Sequence, residues 1–219
     1  MIISTENDAK AWLKTLPHWS DDAERRLECL CAHLADENDR QNLVSAQSLQ
    51  SVWQRHIADS AQLLTFVPRE TSGPWLDLGT GAGFPGLVIA ALLPDTAVHL
   101  VESRSRRIDW LERAATELDL ANVRVHGARL EQVESFPVRT ISARAFAPLP
   151  RLLELSARFS TADTVWLLPK GRSAAQELAE LSGWQHMFHV EQSLTDTEAG
   201  VVVGTLSGPE KRATKGKTP

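Results

Sequence analysis

The residues whose types and spacing can do chemistry gather around one glycine-rich turn. Trp75-Leu76-Asp77-Leu78 is a short apolar run that passes directly into Gly79-Thr80-Gly81-Ala82-Gly83-Phe84-Pro85-Gly86. Closely spaced glycines at the end of a strand let the backbone turn sharply and let a ligand approach without meeting a Cβ. Glu102 ends the next apolar run, 23 residues after Gly79, where a side chain can accept hydrogen bonds from both hydroxyls of a ribose. Asp77 lies two residues before the first glycine. A carboxylate inside a strand is costly to bury unless a cationic ligand or the N–H groups of the turn satisfy it.

Asp77 also separates two readings of the turn. A dinucleotide would bring a pyrophosphate that Asp77 repels, whereas S-adenosylmethionine brings an ammonium and a sulfonium that it attracts. The charge favours the methyl donor, with Asp77, Gly79, Gly81, Gly83 and Glu102 expected to bind it. Pro85 fits the first helical position, where the N–H that proline lacks would be unpaired anyway.

The elements that must position these residues follow from hydrophobic periodicity. Strands are expected at Trp75–Leu78, Ala97–Glu102, Val123–His126, Thr140–Arg144 and Thr164–Leu168, alternating with helices at Phe84–Leu93, Arg106–Leu118, Leu149–Arg158 and Ser173–Leu181 and a helical turn at Leu130–Val133. Trp184–Val190 and Gly200–Leu206 are expected side by side as an antiparallel pair at the sheet edge. The fold class is α/β, a Rossmann-like, mostly parallel seven-stranded sheet with an antiparallel edge strand and an N-terminal helical extension. Before Pro68 the signals are helical only: Ser4 or Thr5 capping Ala9–Leu16, Ser20-Asp21-Asp22 opening Ala23–Leu34, and a third helix over Ser48–Phe66. The organisation read from this is a helical cap over residues 1–70, a methyltransferase domain over 71–208, and a basic tail over 209–219 with Lys211, Arg212, Lys215 and Lys217.

The net charge of -5 argues against a nucleic-acid partner, but its distribution does not. Residues 1–70 carry 7 Lys/Arg against 11 Asp/Glu, whereas residues 103–172 carry 12 against 8. The N-terminus lacks a basic region followed by an apolar stretch, and no apolar run is long enough for a membrane span, so a cytoplasmic protein is expected. Cys29 and Cys31 are spaced to point to different faces of a helix, which favours neither a bridge nor a metal pair, and no metal site is expected.

Beyond the turn, Asn42-Leu43-Val44-Ser45, Arg55-His56-Ile57-Ala58-Asp59-Ser60, Ser142-Ala143-Arg144-Ala145-Phe146-Ala147 and Leu168-Pro169-Lys170-Gly171 occur in order. Together with the turn they make the chain resemble the ribosomal RNA small-subunit methyltransferase G family over roughly residues 40–175. The resemblance implies transfer of a methyl group from S-adenosylmethionine to N7 of a guanine in the 530 loop of 16S rRNA, with the RNA or the 30S subunit as partner. It puts donor-binding positions on Gly79, Phe84, Leu130, Glu131 and Arg144. The chain departs from the commonest family pattern with Glu102 in place of an Asp, and with Ala143 inside the Ser-Arg-Ala-Phe motif.

Guanine N7 has a free lone pair, so such a transfer needs alignment rather than a general base. Phe146 offers a stacking face for an extruded base, and Arg144 can hold a phosphate, the purine edge or the carboxylate of the donor, which makes these two the catalytic candidates. His56, Arg104, Arg106, Arg107, Arg129 and Lys170 are the candidate RNA contacts. His56 and Asp59 could equally bond to each other, and Phe146 could be a core residue. A methyltransferase acting on another RNA or a small molecule, and a non-catalytic ribosome-assembly factor, stay open as alternatives; a monomer is expected.

Overall fold

The computed structural model describes residues 2–68 and 73–210. Lys211, Arg212, Lys215 and Lys217 of the expected basic tail lie outside them.

The chain opens with helix α1 (Glu6–Leu13), set by a reciprocal cap: the Thr5 hydroxyl accepts from the Asp8 N–H and the Asp8 carboxylate accepts from the Thr5 N–H. Ser20 caps α2 (Asp21–Asn38), whose first turn carries Asp21, Asp22 and Glu24 against the positive end of the helix dipole. Leu27, Leu30 and Leu34 recur at helical spacing and are fully buried.

The third expected helix is broken into α3 (Ala46–Leu49), a π-helix (Trp53–Ala58), α4 (Asp59–Ala61) and a 3-10 turn (Gln62–Phe66). At the break a carboxylate takes the place of backbone acceptors. Glu6 of α1 accepts from the N–H groups of Trp53 (3.2 Å) and Gln54 (2.8 Å), so neither is free to continue an α-helical pattern. Wide turns of this kind concentrate at functional sites.

The alternating elements follow: β1 (Trp75–Leu78), α5 (Gly86–Leu92), β2 (Val98–Glu102), α6 (Ser105–Glu117), β3 (Val123–Gly127), a 3-10 turn (Leu130–Gln132), β4 (Thr140–Ala143), α7 (Leu149–Ser156), β5 (Val165–Gly171) and α8 (Ala174–Ala179). Pro85 caps α5 rather than entering its first turn. The segment expected as one strand over Trp184–Val190 divides into β6 (Trp184–His186) and β7 (His189–Gln192), which pair with different partners. β7 joins β8 (Gly200–Gly204), while β6 joins β9 (Leu206–Pro209) in a separate two-stranded sheet. The split occurs where Gly204, at φ +150, crosses the Met187 backbone so closely that a Cβ there would overlap the Met187 carbonyl.

The main sheet has the order β3-β2-β1-β4-β5-β8-β7, parallel except for β8, which stands one place in from the edge. All four residues of β1 are buried, as for a strand covered on both faces. The chain leaves β1 in one direction toward β3 and then crosses to β4 on its other side, and ligands of such sheets bind in the crevice at that reversal. One apolar cluster unites the N-terminal helices with α5 and α6, and a second covers the other face with α7, Phe159 and Trp166. The helices before residue 67 are therefore a layer packed directly on the sheet domain.

Candidate functional site

Asp77 is completely buried, and the chain itself satisfies its carboxylate: Oδ1 accepts from the Ser142 hydroxyl (2.7 Å) and Oδ2 from the Gly86 N–H (3.1 Å). Ser142 in turn accepts from the Trp75 indole N–H (2.8 Å). Burial pushes the Asp77 carboxyl up to about 6. It borders neither cavity described below. The direct donor contact expected of Asp77 is therefore corrected to a role in shaping the turn, because its carboxylate is enclosed by the Gly86 N–H and the Ser142 hydroxyl and faces neither cavity.

The turn has left-handed backbone at Gly79, Gly81 and Gly83. At Gly79 a Cβ would lie 2.5 Å from Cδ2 of Phe146, so glycine is required both for φ +65 and for the approach of that ring. Glu102 closes the turn from the neighbouring strand. Its Oε1 accepts from the Ser103 (2.7 Å) and Arg104 (2.9 Å) N–H groups, and its Oε2 from the Gly81 N–H (3.1 Å). Arg107 stands 3.8 Å from the same oxygen.

Two cavities flank the chain segment that leaves β4. The smaller, about 360 Å³, is bordered by Gly79, Glu102, Arg104, Arg129, Leu130 and Glu131. Four of the expected donor-binding residues thus meet in one place. Gly81, Gly83 and Phe84 do not border it; Phe84 is buried beneath the larger cavity's wall, under the His56 ring and the Arg144 guanidinium.

The larger cavity, about 790 Å³, is bordered by Ser48, His56, Asp59, Arg144 and Lys170 among others. Arg144 reaches it from the end of β4, held by three groups. Its guanidinium nitrogens lie 3.3 and 3.4 Å from His56 Nδ1 and 3.4 Å from Asp59 Oδ2, and its Cζ is 5.3 Å above the Phe84 ring. His56 stacks on Phe84 with centroids 4.9 Å apart. Burial, helped by the charge of Arg144, lowers His56 to about 3, so the ring is neutral at physiological pH. Because Nδ1 faces a donor that has no acceptor capacity, the proton sits on Nε2, which donates to Ser48 Oγ at 3.0 Å. Asp59 Oδ1 accepts from Thr195 (2.7 Å) and Gln62 (2.9 Å). The π-helix and the start of α4 bring His56 and Asp59 onto one guanidinium.

His56 is thus corrected from an RNA contact to a buried support of Arg144, since both ring nitrogens are engaged within the protein. Lys170 is corrected likewise: its ammonium donates to the Ala147 carbonyl (2.7 Å) and pairs with Glu177 (2.9 Å), away from the arginines of α6. Arg104, Arg107 and Arg129 do form a rim, on the smaller cavity. Arg106 turns instead to the Arg40 carbonyl (2.8 Å). Ala145, at φ +52, and Phe146 border both cavities. Ser142, Gln62 and Thr195 were not singled out by sequence. Ser142 carried a signal, a hydroxyl one strand across from a buried acid; Thr195 carried none, being 136 residues from Asp59.

A glycine turn and a following acid that share a cavity at the sheet's reversal point suit a nucleoside-bearing donor. The class so defined is the Rossmann-like S-adenosylmethionine-dependent methyltransferases. Solved structures with the same fold include an S-adenosylmethionine-dependent methyltransferase from Aquifex aeolicus (TM-score 0.53, 15% identity, 68% of this chain and 89% of that one). A fibrillarin from Aeropyrum pernix with bound S-adenosyl-L-methionine is also similar (TM-score 0.50, 14% identity, 66% and 73%). The family model for rRNA small subunit methyltransferase G matches residues 23–199. Proteins named Ribosomal RNA small subunit methyltransferase G are 59% identical in Novosphingobium aromaticivorans, over 94% of this chain and 90% of that one, and 57% identical in Erythrobacter litoralis, over 93% and 97%. The chain belongs to the rRNA small subunit methyltransferase G family.

Proposed function

We propose that this protein transfers a methyl group from S-adenosylmethionine to N7 of a guanine in the 530 loop of 16S rRNA, as a cytoplasmic monomer acting on the 30S subunit or its RNA. The observation that carries the reading is the Ala145-Phe146 wall shared by a cavity suited to the donor and a larger one open to a base, with Arg144 on the larger side. Residues 71–208 supply the donor side, and the helices of residues 1–70 supply His56 and Asp59 to the acceptor side.

Gly79, Glu102, Leu130 and Glu131 fit the nucleoside end of the donor: the glycine leaves room, and the Glu102 carboxylate, with three backbone N–H groups already on it, keeps one acceptor position on Oε2 for a ribose hydroxyl. Bound there, S-adenosylmethionine supplies an electrophilic methyl on a sulfonium. Guanine N7 is unprotonated in the neutral base, so no residue takes a proton before transfer. Phe146 offers its ring face to the purine, and Arg144, fixed by His56 and Asp59, orients the base or the carboxylate of the donor. The carboxylate of Asp59 beside Arg144 keeps the site from opposing the cationic purine that results.

The test is incubation with methyl-labelled S-adenosylmethionine and 30S subunits from a strain lacking the gene, followed by borohydride and aniline cleavage. One new cleavage in the 530 loop is expected. Donor binding with no labelled RNA would overturn the rRNA assignment.

A further inference from the structure

A nucleophile, a base and an acid meet away from both cavities. Cys29 and His33 share one face of α2, four residues apart, with Sγ 3.6 Å from Nε2. The other ring nitrogen of His33, Nδ1, is 2.7 Å from Oε2 of Glu117 at the end of α6, a charge contact that is not aligned as a hydrogen bond. The three side chains stand in the order thiol, imidazole, carboxylate, with the His33 side chain 33% exposed, that of Glu117 46%, and Cys29 half-buried. An imidazole within reach of a thiol can take its proton, and a carboxylate on the far nitrogen stabilises the imidazolium that forms. Cys31 is a built-in contrast: burial pushes its thiol up to about 12, and no base touches it among the described hydrogen bonds.

We propose that Cys29 is a reactive thiol, a modification site for low-molecular-weight disulfides of the glutathione class, activated by His33 and Glu117. Sγ attacks one sulfur of the disulfide, a new S–S bond forms, and the old one breaks. The thiol proton passes to His33 Nε2 and from there to the departing thiolate, which leaves as a free thiol. No electrons are needed beyond those the incoming disulfide accepts. Cys29 borders neither cavity, so the site is separate from methyl transfer.

The test uses the full chain with oxidised glutathione, and in parallel with iodoacetamide, and reads adducts at each cysteine by peptide mass spectrometry. Iodoacetamide forms a carbon–sulfur bond and expels iodide, so it reports thiolate reactivity alone. Cys29 is expected to react about tenfold faster than the same peptide unfolded in denaturant, with Cys31 unmodified in the folded protein. His33→Ala and Glu117→Gln, both at partly exposed positions, are expected to remove that advantage while leaving the melting curve in place. Cys29 reacting no faster than the unfolded peptide, or fast but indifferent to His33→Ala, would overturn the proposal.

Discussion

The Gly86 N–H points at Asp77 Oδ2 from 3.1 Å, and a Cβ on residue 86 would stand 2.9 Å from that same oxygen. A strand carboxylate and a helix-start glycine therefore define each other, and the turn between them is held at both ends. Asp77 is raised to about 6 from 3.8, so its protonated form is the one the fold prefers. Its contribution to stability is complete below about pH 3.8 and is lost as pH rises through about 6. Asp77→Asn keeps a carbonyl oxygen for the Gly86 N–H, removes the charge, and reverses the Ser142 contact, since its NH2 group donates to the hydroxyl that had donated to Oδ1. The melting temperature of the variant minus that of the parent is expected to rise between pH 4 and 7; a difference that stays flat across this range would sink the assignment.

Gly79→Ala places a methyl group where the Phe146 ring lies, at a backbone angle that costs a side chain about 1–2 kcal/mol. Donor affinity by calorimetry is expected to drop about tenfold or more. Adding Phe146→Ala should return part of it, since the ring is half of the collision. No recovery in the double variant would mean that the backbone angle alone is responsible.

His56 and Arg144 act as one unit. Removing either is expected to lower kcat/KM by about tenfold to a hundredfold, and removing both should cost no more than removing Arg144 alone. Additive losses would show that His56 has its own contact with RNA.

The arginines expected to meet RNA differ in what already holds them. Arg104→Ala and Arg129→Ala are each expected to reduce the salt dependence of RNA binding by about one released ion. Arg106→Ala, whose guanidinium is spent on the Arg40 carbonyl, should leave that slope unchanged. Equal slopes for all three variants would contradict the geometry.

The sheet was legible because its strands are short apolar runs between glycine and polar breaks, and Glu102 because strand ends aim at the crevice. Periodicity sees only neighbours along the chain. It read Ser48–Phe66 as one helix because the break comes from Glu6, 47 residues away. It gave Asp77 a ligand because the pairing with Ser142, 65 residues on, shows only once the strand order is known. It grouped Lys170 with the α6 arginines on charge alone, whereas Glu177 and the Ala147 carbonyl already neutralise and bind it. Long-range hydrogen bonds decided each of these positions, and a local pattern carries no trace of them.

The Glu6 carboxylate on the Trp53 and Gln54 N–H groups has a consequence for the acceptor cavity. Without it the 53–58 segment is free to wind as an ordinary α-helix, where each residue of slippage swings a side chain by about 100° around the axis. His56 would then leave Arg144, and the acceptor wall would lose its shape while the sheet and its glycine turn stood unaltered. A trimmed or extended start that disturbs α1 would in this way yield a folded, donor-competent protein blind to its substrate.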